Sequence, residues 1–295
     1  MSTKKLSPSL LLTLISALLL ANTSKAEDAL QLRTDDLGAG VYMLSGVGGF
    51  VGGNMALSIG DDGVVLIDNG IPDVNQVLIE EIAKTTDKAI DYVINTHAHF
   101  DHTGNNLLFG DMGSKIISHD NLRAALVADE KQSGNAIPVL TFNDELTIHL
   151  NGDTLQLKHL AKAHTDGDAV IKFQNGDILH TGDIMFNGMF PFIDADGGGS
   201  LDGVIAALEA ISAMSSESTK IIPGHGPIAS KQDVEKTIAM LKDSKSIIAE
   251  LVESGKSDEE ILASSPLEKY QSYSWAFINT ERMIKQLIRA ARGKE

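Results

Sequence analysis

The segment INTHAHFDHTG, from Ile94 to Gly104, places three of the nine histidines of the chain and an aspartate within six consecutive residues. The mostly apolar stretch AIDYVIN overlaps its start and is typical of a buried β-strand. Since alternate side chains point the same way where a strand ends, His97 and His99 can face one cation. Asp101 and His102 follow beyond the strand end, where a turn can direct them to a second site. The pattern therefore indicates a metal site, against the alternative of a solvent-exposed polar loop.

Three further positions, each at or near the end of a predicted strand, can complete two half-sites. They are His164 in KAHTDGDAV, Asp183 in ILHTGDIMF and His225 in IIPGHGPI. A catalytic zinc ion usually takes three protein ligands and a water molecule, and a carboxylate can bridge two cations, so Asp183 is the bridging candidate. The candidate ligands are then His97, His99 and His164 for the first cation, and Asp101, His102, Asp183 and His225 for the second.

The composition narrows the chemistry further. The 295 residues include no cysteine, so disulfides, thiol nucleophiles and thiolate ligands are excluded, and any metal site uses nitrogen and oxygen ligands. The formal net charge of the chain is −16. This acidic balance disfavours nucleic acid and anionic membrane surfaces as partners, and leaves a small molecule as the expected substrate.

The first 26 residues have the pattern of a cleavable signal peptide. Lys4 and Lys5 form a basic start, residues 10–21 form an apolar run, and TSKAED offers a cleavage site after Ala26. The apolar run is too short to cross a bilayer, which argues against a membrane anchor. We therefore expect a periplasmic or secreted protein with no membrane span after cleavage. Residues 27–295 then form one domain, because no linker divides them.

The periodicity of the mature chain predicts two β-rich regions, each followed by helices. VYMLSG and NMALSIGDDGVVLIDNG indicate strands with a hairpin at DDG, and DVNQVLIEEIAKTT indicates a helix with Asp73 as its N-cap. Four short strands follow Leu146, and then SLDGVIAALEAISAM indicates a helix capped by Ser200. The pattern favours an α/β (α+β) fold of two packed sheets with helices on their outer faces.

Two glycine-rich segments resemble known motifs without matching them. GVGGFVGGN, at 46–54, has Val51 where a dinucleotide-binding motif requires its third glycine, and a strand follows instead of a helix. DADGGGSLDGVI begins like a calcium-binding loop but ends in Ile205 where that loop requires glutamate. Both segments are interpreted as flexible loops near a binding face.

The motifs THAHFDHTG, AHTDGD, HTGD and PGHG, in this order over nearly the whole mature chain, resemble those of the metallo-β-lactamase superfamily. The resemblance implies a four-layer αββα sandwich with two zinc ions in a cleft at one edge of the sheets. An aspartate at position 183 and the absence of cysteine are more similar to glyoxalase II, lactonases and generalist hydrolases than to true β-lactamases. The resemblance assigns His97, His99 and His164 to the first metal, Asp101, His102 and His225 to the second, and Asp183 to both.

The signal peptide, the ligand set and the resemblance together predict an exported dizinc hydrolase that cleaves a β-lactam, a lactone or a related ester. Two cations roughly 3.5–4 Å apart share a water molecule whose pKa falls to about 7, so a hydroxide can attack a carbonyl carbon. Asp101 is the candidate catalytic residue that orients this hydroxide. The alternatives are a glyoxalase II-like thioesterase, an iron-dependent oxidoreductase of the persulfide dioxygenase type, and a metal-binding protein without catalysis. Imidazole and carboxylate ligands also suit iron or manganese.

Several other residues keep two interpretations each. Asp68 and Asp168 either accept hydrogen bonds from ligand imidazoles or form turns. Residues 185–200 belong either to the core or to the wall of a substrate pocket. Trp275, the only tryptophan, is expected in a packed C-terminal helix, with a substrate lid as the alternative. The remaining candidates, interpreted as surface groups or as groups that support the ligands, are His119, His149, His159 and His180.

Overall fold

The computed structural model describes residues 30–294, so the predicted signal peptide lies outside the described residues. Seven strands form the first sheet in chain order, antiparallel from β1 to β4 and parallel from β4 to β7. These strands are β1 (Gln31–Gly38), β2 (Val41–Val47), β3 (Met55–Ile59), β4 (Val64–Ile67), β5 (Tyr92–Ile94), β6 (Lys115–His119) and β7 (Leu140–Phe142).

The second sheet has five strands in the order β12-β11-β10-β9-β8. Its strands are antiparallel except for β11 and β12, which run parallel. The strands are β8 (Glu145–Leu150), β9 (Asp153–His159), β10 (Ala169–Phe173), β11 (Ile178–His180) and β12 (Lys220–Ile222). The helices are α1 (Asn75–Ala83), α2 (Phe100–Thr103), α3 (Asn106–Asp111), α4 (Asp120–Ala128), α5 (Leu201–Met214), α6 (Lys231–Glu253), α7 (Asp258–Ala263) and α8 (Thr280–Ala291).

The two sheets pack face to face, and each is covered by helices on its other face. Along β4, Val65 and Ile67 point into the cluster between the sheets, whereas Val64 and Leu66 point into the cluster under α1. This alternation has the two-residue period of a strand buried on both faces. The outer face of the second sheet packs against α5, α6 and α8. The predicted αββα sandwich is therefore confirmed.

The helix caps predicted from sequence have different outcomes. Ser200 caps α5 as expected, since its side chain accepts a hydrogen bond from the backbone N–H of Gly203. The prediction for Asp73 is wrong. Pro72 begins a short 3-10 helix, Pro72–Val74, and α1 starts after it with Val74 at the N-cap position. Because proline already has the φ of a first helical turn, the chain turns one residue before the predicted cap.

The strand ends that carry the candidate ligands meet at one edge of the sandwich. Ile67 and Ile94 are aligned at the ends of the parallel strands β4 and β5, directly before Asp68 and the histidine cluster. His180 and Ile222 are likewise aligned at the ends of β11 and β12. The next candidate ligands, Asp183 and His225, therefore emerge side by side. Within residues 30–294, no helix is both long and apolar enough to cross a bilayer.

Candidate metal centre

The structure brings the seven candidate ligands together in two adjoining groups. In each group, one side-chain nitrogen or oxygen per residue lies within 4.8 Å of the corresponding atoms of the others, so each group could hold a metal ion. The first group comes from the loops after β5, β9 and β11, and the second from α2 and the loop after β12. The groups are His97, His99, His164 and Asp183, and Asp101, His102 and His225.

Asp183 lies between the two groups. Its Oδ2 atom is 3.7 Å from His164 Nε2 on one side and 3.4 Å from His225 Nε2 on the other. Its Oδ1 atom faces His102 Nε2 at 3.0 Å. The carboxylate is buried, with 5% of the side chain exposed. A buried carboxylate that faces both sets of imidazoles has the position that a bridging ligand requires.

Each histidine ring of the first group is oriented by the nitrogen that points away from the centre. His99 donates its Nε2 proton to Asp194 Oδ2 at 2.9 Å, because a carboxylate can only accept. His164 donates its Nδ1 proton to the backbone carbonyl of Phe192 at 2.8 Å. His97 Nδ1 lies 3.0 Å from the hydroxyl of Thr96. These contacts leave the opposite nitrogen of each ring directed at the centre.

The ring nitrogens that face the centre are better placed to coordinate a cation than to form hydrogen bonds with one another. His99 Nδ1 and His164 Nε2 are 2.9 Å apart, and the outer nitrogen of each ring already donates a proton, so each inward nitrogen presents a lone pair whenever its ring carries a single proton. Two facing lone pairs repel, and a cation between them turns the repulsion into attraction. Of the four buried side-chain atoms without a hydrogen bond among the described residues, three lie here: His97 Nε2, His102 Nε2 and Asp183 Oδ1. The last two are 3.0 Å apart, but their orientation does not make a hydrogen bond. The residues present therefore fit a metal ion.

Burial gives the rings of the first group a low proton affinity. Burial, reinforced by the neighbouring His102, holds the pKa of His97 well below its ordinary value. Burial likewise lowers the pKa of His164 to about 4, against the opposing effect of Asp183. Both rings are neutral at neutral pH, so each keeps a lone pair for a cation.

The second group has the opposite balance of forces. Burial alone would lower the pKa of His225, but the carboxylates of Asp183 and Asp101 outweigh it and raise this pKa to about 9. The pKa of His102 is raised well above its ordinary value in the same way, with burial overcome chiefly by Asp183. Burial would raise the pKa of Asp183, yet His225 and His102 hold it well below its usual range. A divalent cation here would compete with protons for these nitrogens.

Asp68 accepts a hydrogen bond from a ligand imidazole, which is one of the two interpretations of this residue from sequence. Its side chain is buried and accepts from His102 Nδ1 at 2.7 Å and from the hydroxyl of Thr96 at 2.8 Å. Asp168 is instead a turn-forming residue. Its side chain accepts hydrogen bonds from the backbone N–H and the hydroxyl of Thr165 and so closes a turn. Burial raises the pKa of Asp168 to about 7.

Two supporting residues were not identified in the sequence. Asp194, which orients His99, lies at the start of the glycine-rich segment that resembles a calcium-binding loop. Asn54 donates its side-chain amide to the carbonyls of Pro223 and Gly226 at 2.9 and 2.8 Å, and so holds the loop that carries His225. An isolated polar residue next to glycine gives no sequence signal for such a long-range contact.

The other histidines lie outside the ligand set. His180 is buried and accepts from the backbone N–H of Gly182, next to Asp183, so it supports the loop of that carboxylate. His119 and His159 stack on each other with ring centroids 3.7 Å apart. His149 is exposed on β8. The interpretation as surface or supporting groups fits His149 and His180, but it is wrong for His119, which is buried and accepts from the backbone N–H of Asn121 at the start of α4.

An apolar cavity of about 410 Å³ opens beside the two ligand groups. Residues 185–200 contribute both to a pocket wall and to the core, the two interpretations made from sequence. Phe186 and Phe192 line this cavity, whereas Phe190 is buried in the core. The expectation for Trp275 is wrong. α8 begins at Thr280, which leaves Trp275 in the preceding loop with its ring against the cavity.

Comparisons with known proteins agree with this geometry. A sequence model of the metallo-β-lactamase superfamily matches residues 48–225, more than half of the chain. A β-lactamase-like protein 2 homolog from Caenorhabditis elegans is 25% identical over 237 residues, which cover 76% of this chain and 75% of that protein. A probable metallo-hydrolase from Methanocaldococcus jannaschii is 29% identical over 177 residues, which cover 57% of this chain and 84% of that protein.

Two solved structures have the same fold as this chain. The metallo-β-lactamase from Pontibacter korlensis has a TM-score of 0.63 at 19% identity, covering 72% of this chain and 99% of that one. The DIM-1 metallo-β-lactamase gives a TM-score of 0.62 at 18% identity, covering 72% of this chain and 98% of that one. The chain belongs to the metallo-β-lactamase superfamily, whose members are typically hydrolases of small molecules and normally bind metal ions.

Proposed function

We propose that this protein is an exported hydrolase that binds two zinc ions and cleaves a cyclic or activated carbonyl compound, such as a β-lactam, a lactone or a related ester. The observation that carries the proposal is the position of Asp183 between two groups of inward-facing imidazoles. The first ion would be held by His97, His99 and His164, the second by Asp101, His102 and His225, and Asp183 would contact both.

Bound cations would polarise the substrate carbonyl and lower the pKa of water to about 7, which supplies a nucleophile at neutral pH. The water oxygen forms a bond to the carbonyl carbon, and the bond from that carbon to nitrogen or oxygen breaks. The carboxylate of Asp101 lines the cavity, and its Oδ2 atom is 3.3 Å from His225 Nε2. Asp101 would accept the proton released by the water and return it to the leaving atom, so that charge and atoms balance.

The test is metal analysis of the purified protein combined with a substrate panel of nitrocefin, a lactone, a phosphate ester and a thioester. We expect about two zinc equivalents per chain, and carbonyl hydrolysis that is lost on chelation and restored by zinc. Predominant iron with oxygen consumption would instead support an oxidoreductase. Turnover of the phosphate ester alone would move the substrate away from carbonyl compounds.

The variant Asp183→Ala tests the bridging role directly. We expect the bound metal to fall by about one equivalent, because a shared ligand is removed from a site that needs three protein ligands. The thermal unfolding midpoint of the metal-free protein serves as the folding control. Asp87→Ala, in an exposed loop, is the matched variant that should retain full metal content. Unchanged stoichiometry in Asp183→Ala would contradict a bridging role.

A further inference from the structure

Apart from the candidate metal ligands, the cavity beside the metal centre is walled mostly by the rings of phenylalanine and tryptophan. Its volume of about 410 Å³ is that of a small-molecule site. The polar side chains that line it are His99, Asp101, Asp183 and His225, which are all candidate metal ligands. The aromatic lining residues are Phe50, Phe100, Phe186, Phe192, Trp275 and Phe277.

No lysine or arginine is among the described residues that line this cavity. Arg282 lies nearby, but its guanidinium carbon is 5.4 Å from the ring centroid of Phe277, and it donates to the backbone carbonyl of that residue. Three of the lining rings are about half exposed or more, so a carboxylate on the distal part of a substrate would lose part of its hydration against phenyl rings without a partner of opposite charge. Such partial desolvation of a charge is unfavourable. The lining therefore disfavours substrates that carry an anionic group away from the scissile bond.

The aromatic wall is held in place by hydrogen bonds and ring contacts. The indole N–H of Trp275 donates to the backbone carbonyl of Phe190 at 2.9 Å, and the backbone N–H of Phe190 donates to the carbonyl of Tyr273 at 2.8 Å. The ring of Phe192 meets that of Phe277 edge to face, with centroids 5.4 Å apart. A cavity whose wall is already ordered loses little side-chain entropy when an apolar group enters.

The wall is continuous with the candidate ligands. Phe186, which is buried, stacks on the imidazole of His225 with centroids 5.2 Å apart, and Trp275 lies 5.7 Å from the same ring. On the other side, the Phe192 ring is 5.8 Å from that of His99. An apolar group in the cavity is therefore adjacent to the position where a carbonyl would meet the metal centre.

We propose that the substrate is an uncharged ester or lactone that carries an aromatic or branched alkyl group, which the cavity binds beside the reacting carbonyl. This inference rests on the proposed hydrolase function and narrows it. Hydrolysis breaks the bond between the acyl carbon and the ester oxygen, places the hydroxyl group of water on that carbon, and returns a proton to the released alcohol.

The first test compares two para-nitrophenyl esters of equal acyl chain length, one ending in a phenyl ring and the other in a carboxylate. We expect kcat/KM of the zinc-loaded protein to be at least about tenfold higher for the phenyl ester, as apolar pockets discriminate on this scale. Non-productive binding of the carboxylate to the metals lowers kcat and KM together, so it leaves this ratio unaffected. Equal or better turnover of the carboxylate ester would overturn the proposal.

The variant Phe277→Ala tests the role of the cavity wall. Phe277 is 49% exposed at the rim, so its removal opens no core cavity. We expect the preference for the phenyl ester over the carboxylate ester to fall about fivefold to tenfold. Met112→Ala, at a 57% exposed position at the end of α3 and outside the cavity, is the matched control and should keep the preference. An unchanged preference in Phe277→Ala would also overturn the proposal.

A binding measurement distinguishes failure of the hydrolase function from failure of the proposed apolar substrate site. If neither these esters nor any carbonyl compound of the substrate panel is hydrolysed, the proposed function fails. Occupancy of the cavity is then followed by the fluorescence of Trp275, the only tryptophan. Titration with benzylacetone, a neutral aryl ketone, should give a saturable change that acetone does not give. A response that is absent, or equal for both ketones, would reject an apolar binding site.

Discussion

Asp68 shows how a single side chain orients a candidate ligand. Its backbone has a φ of 56°, in the left-handed region that disfavours most residues but is tolerated by aspartate and asparagine. In this conformation Oδ1 accepts from the backbone N–H of Thr96 and Oδ2 accepts from His102 Nδ1. The carboxylate thus fixes the ring so that Nε2 faces the centre.

We expect Asp68→Asn to weaken metal binding by roughly 10- to 100-fold, the usual effect of removing a carboxylate that orients a ligand imidazole. Asparagine keeps the left-handed backbone and one acceptor oxygen, so the unfolding midpoint of the metal-free protein should change little. Competition with a chromogenic chelator measures the affinity. Asp168→Asn removes another buried carboxylate that does not contact a ligand ring, and should leave the affinity unchanged. Equal affinity in Asp68→Asn and the unchanged protein would contradict this role.

At the scale of elements, the glycine-rich loop at 46–54 acts by close packing against the centre. A Cβ atom on Gly53 would lie 2.1 Å from the imidazole carbon Cε1 of His102, and one on Gly52 would lie 2.4 Å from the carbonyl oxygen of Asp101. The absence of side chains allows this loop to approach α2 so closely. The motif therefore resembles a nucleotide-binding loop in composition only.

We expect Gly53→Ala to displace His102 and to reduce both the bound metal and the hydrolytic activity. The new methyl group cannot be accommodated at 2.1 Å from a ring that Asp68 holds in place. Metal analysis and turnover of a responsive ester measure the effect. Gly176→Ala is the control, since its Cβ would meet the end of the Ile178 side chain at 3.0 Å and the Cβ of Ala39 at 3.4 Å, which is far less crowded than 2.1 Å. Full metal content in Gly53→Ala would show that the loop can move away.

The turn between β10 and β11 is tied to the segment that precedes β12 through Asp177. Its carboxylate accepts from Lys172 on β10, from the hydroxyl of Ser218 at 2.9 Å and from that of Thr219 at 2.7 Å. The hydrogen bond from Lys172, joined by these hydroxyls, holds the pKa of Asp177 well below its usual range. This link helps to place β12, and hence the loop with His225.

Because folding lowers the pKa of Asp177, its contribution to stability is present above the unfolded-state pKa of about 3.9 and is lost as the pH falls through the folded-state pKa. We expect Asp177→Asn to lower the free energy of unfolding at pH 7 by only about 1 kcal/mol, since the side chain is 35% exposed and solvent screens the charge. Urea denaturation at several pH values measures the difference.

The difference between Asp177→Asn and the unchanged protein should narrow once the pH falls below about 4, because Asp177 of the unfolded chain then takes up a proton while the folded protein still holds it ionised. Asp87→Asn, in an exposed loop, is the matched control and should give no comparable loss at any pH. A gap of constant size from neutral to acidic pH would show that charge is not the source of the stability.

At the scale of the whole molecule, the relative position of the two sheets determines the centre, because each sheet supplies part of the ligands. Phe173 is fully buried between them, together with Ile67 and Ile94 of the first sheet and Ile171 of its own. We expect Phe173→Ala to lower the free energy of unfolding by about 3–5 kcal/mol through the loss of burial and the resulting cavity. Urea denaturation of the metal-free protein measures this.

Leu140→Ala, at a 46% exposed position on β7, is the control for Phe173→Ala and should change the free energy of unfolding by less than about 0.5 kcal/mol. Similar losses in both variants would contradict the assignment of the inter-sheet cluster as the main link between the sheets. Metal affinity in Phe173→Ala is expected to fall with stability, since each of the two ligand groups takes residues from both sheets.

Much of the fold and the candidate ligand set could be predicted from sequence because the signals are local. His97, His99, Asp101 and His102 occur within one short segment, and strand periodicity identifies the elements that end at each motif. The cap at Asp73 was mispredicted because a proline started the turn earlier. Trp275 was misplaced because the start of α8 depends on a cap at Asn279, which the apolar pattern does not reveal.

The sequence by itself determined the chemistry available to this protein: imidazole and carboxylate ligands, no thiol, and β-strands that end at each ligand motif. Only the tertiary structure decided which atoms face one another. The pairing of Asp194 with His99, the clamp from Asn54 to the loop of His225, and the aromatic wall completed by Trp275 join residues 85 to 172 positions apart. Such contacts depend on how the sheets and loops pack, and packing is a property of the whole chain.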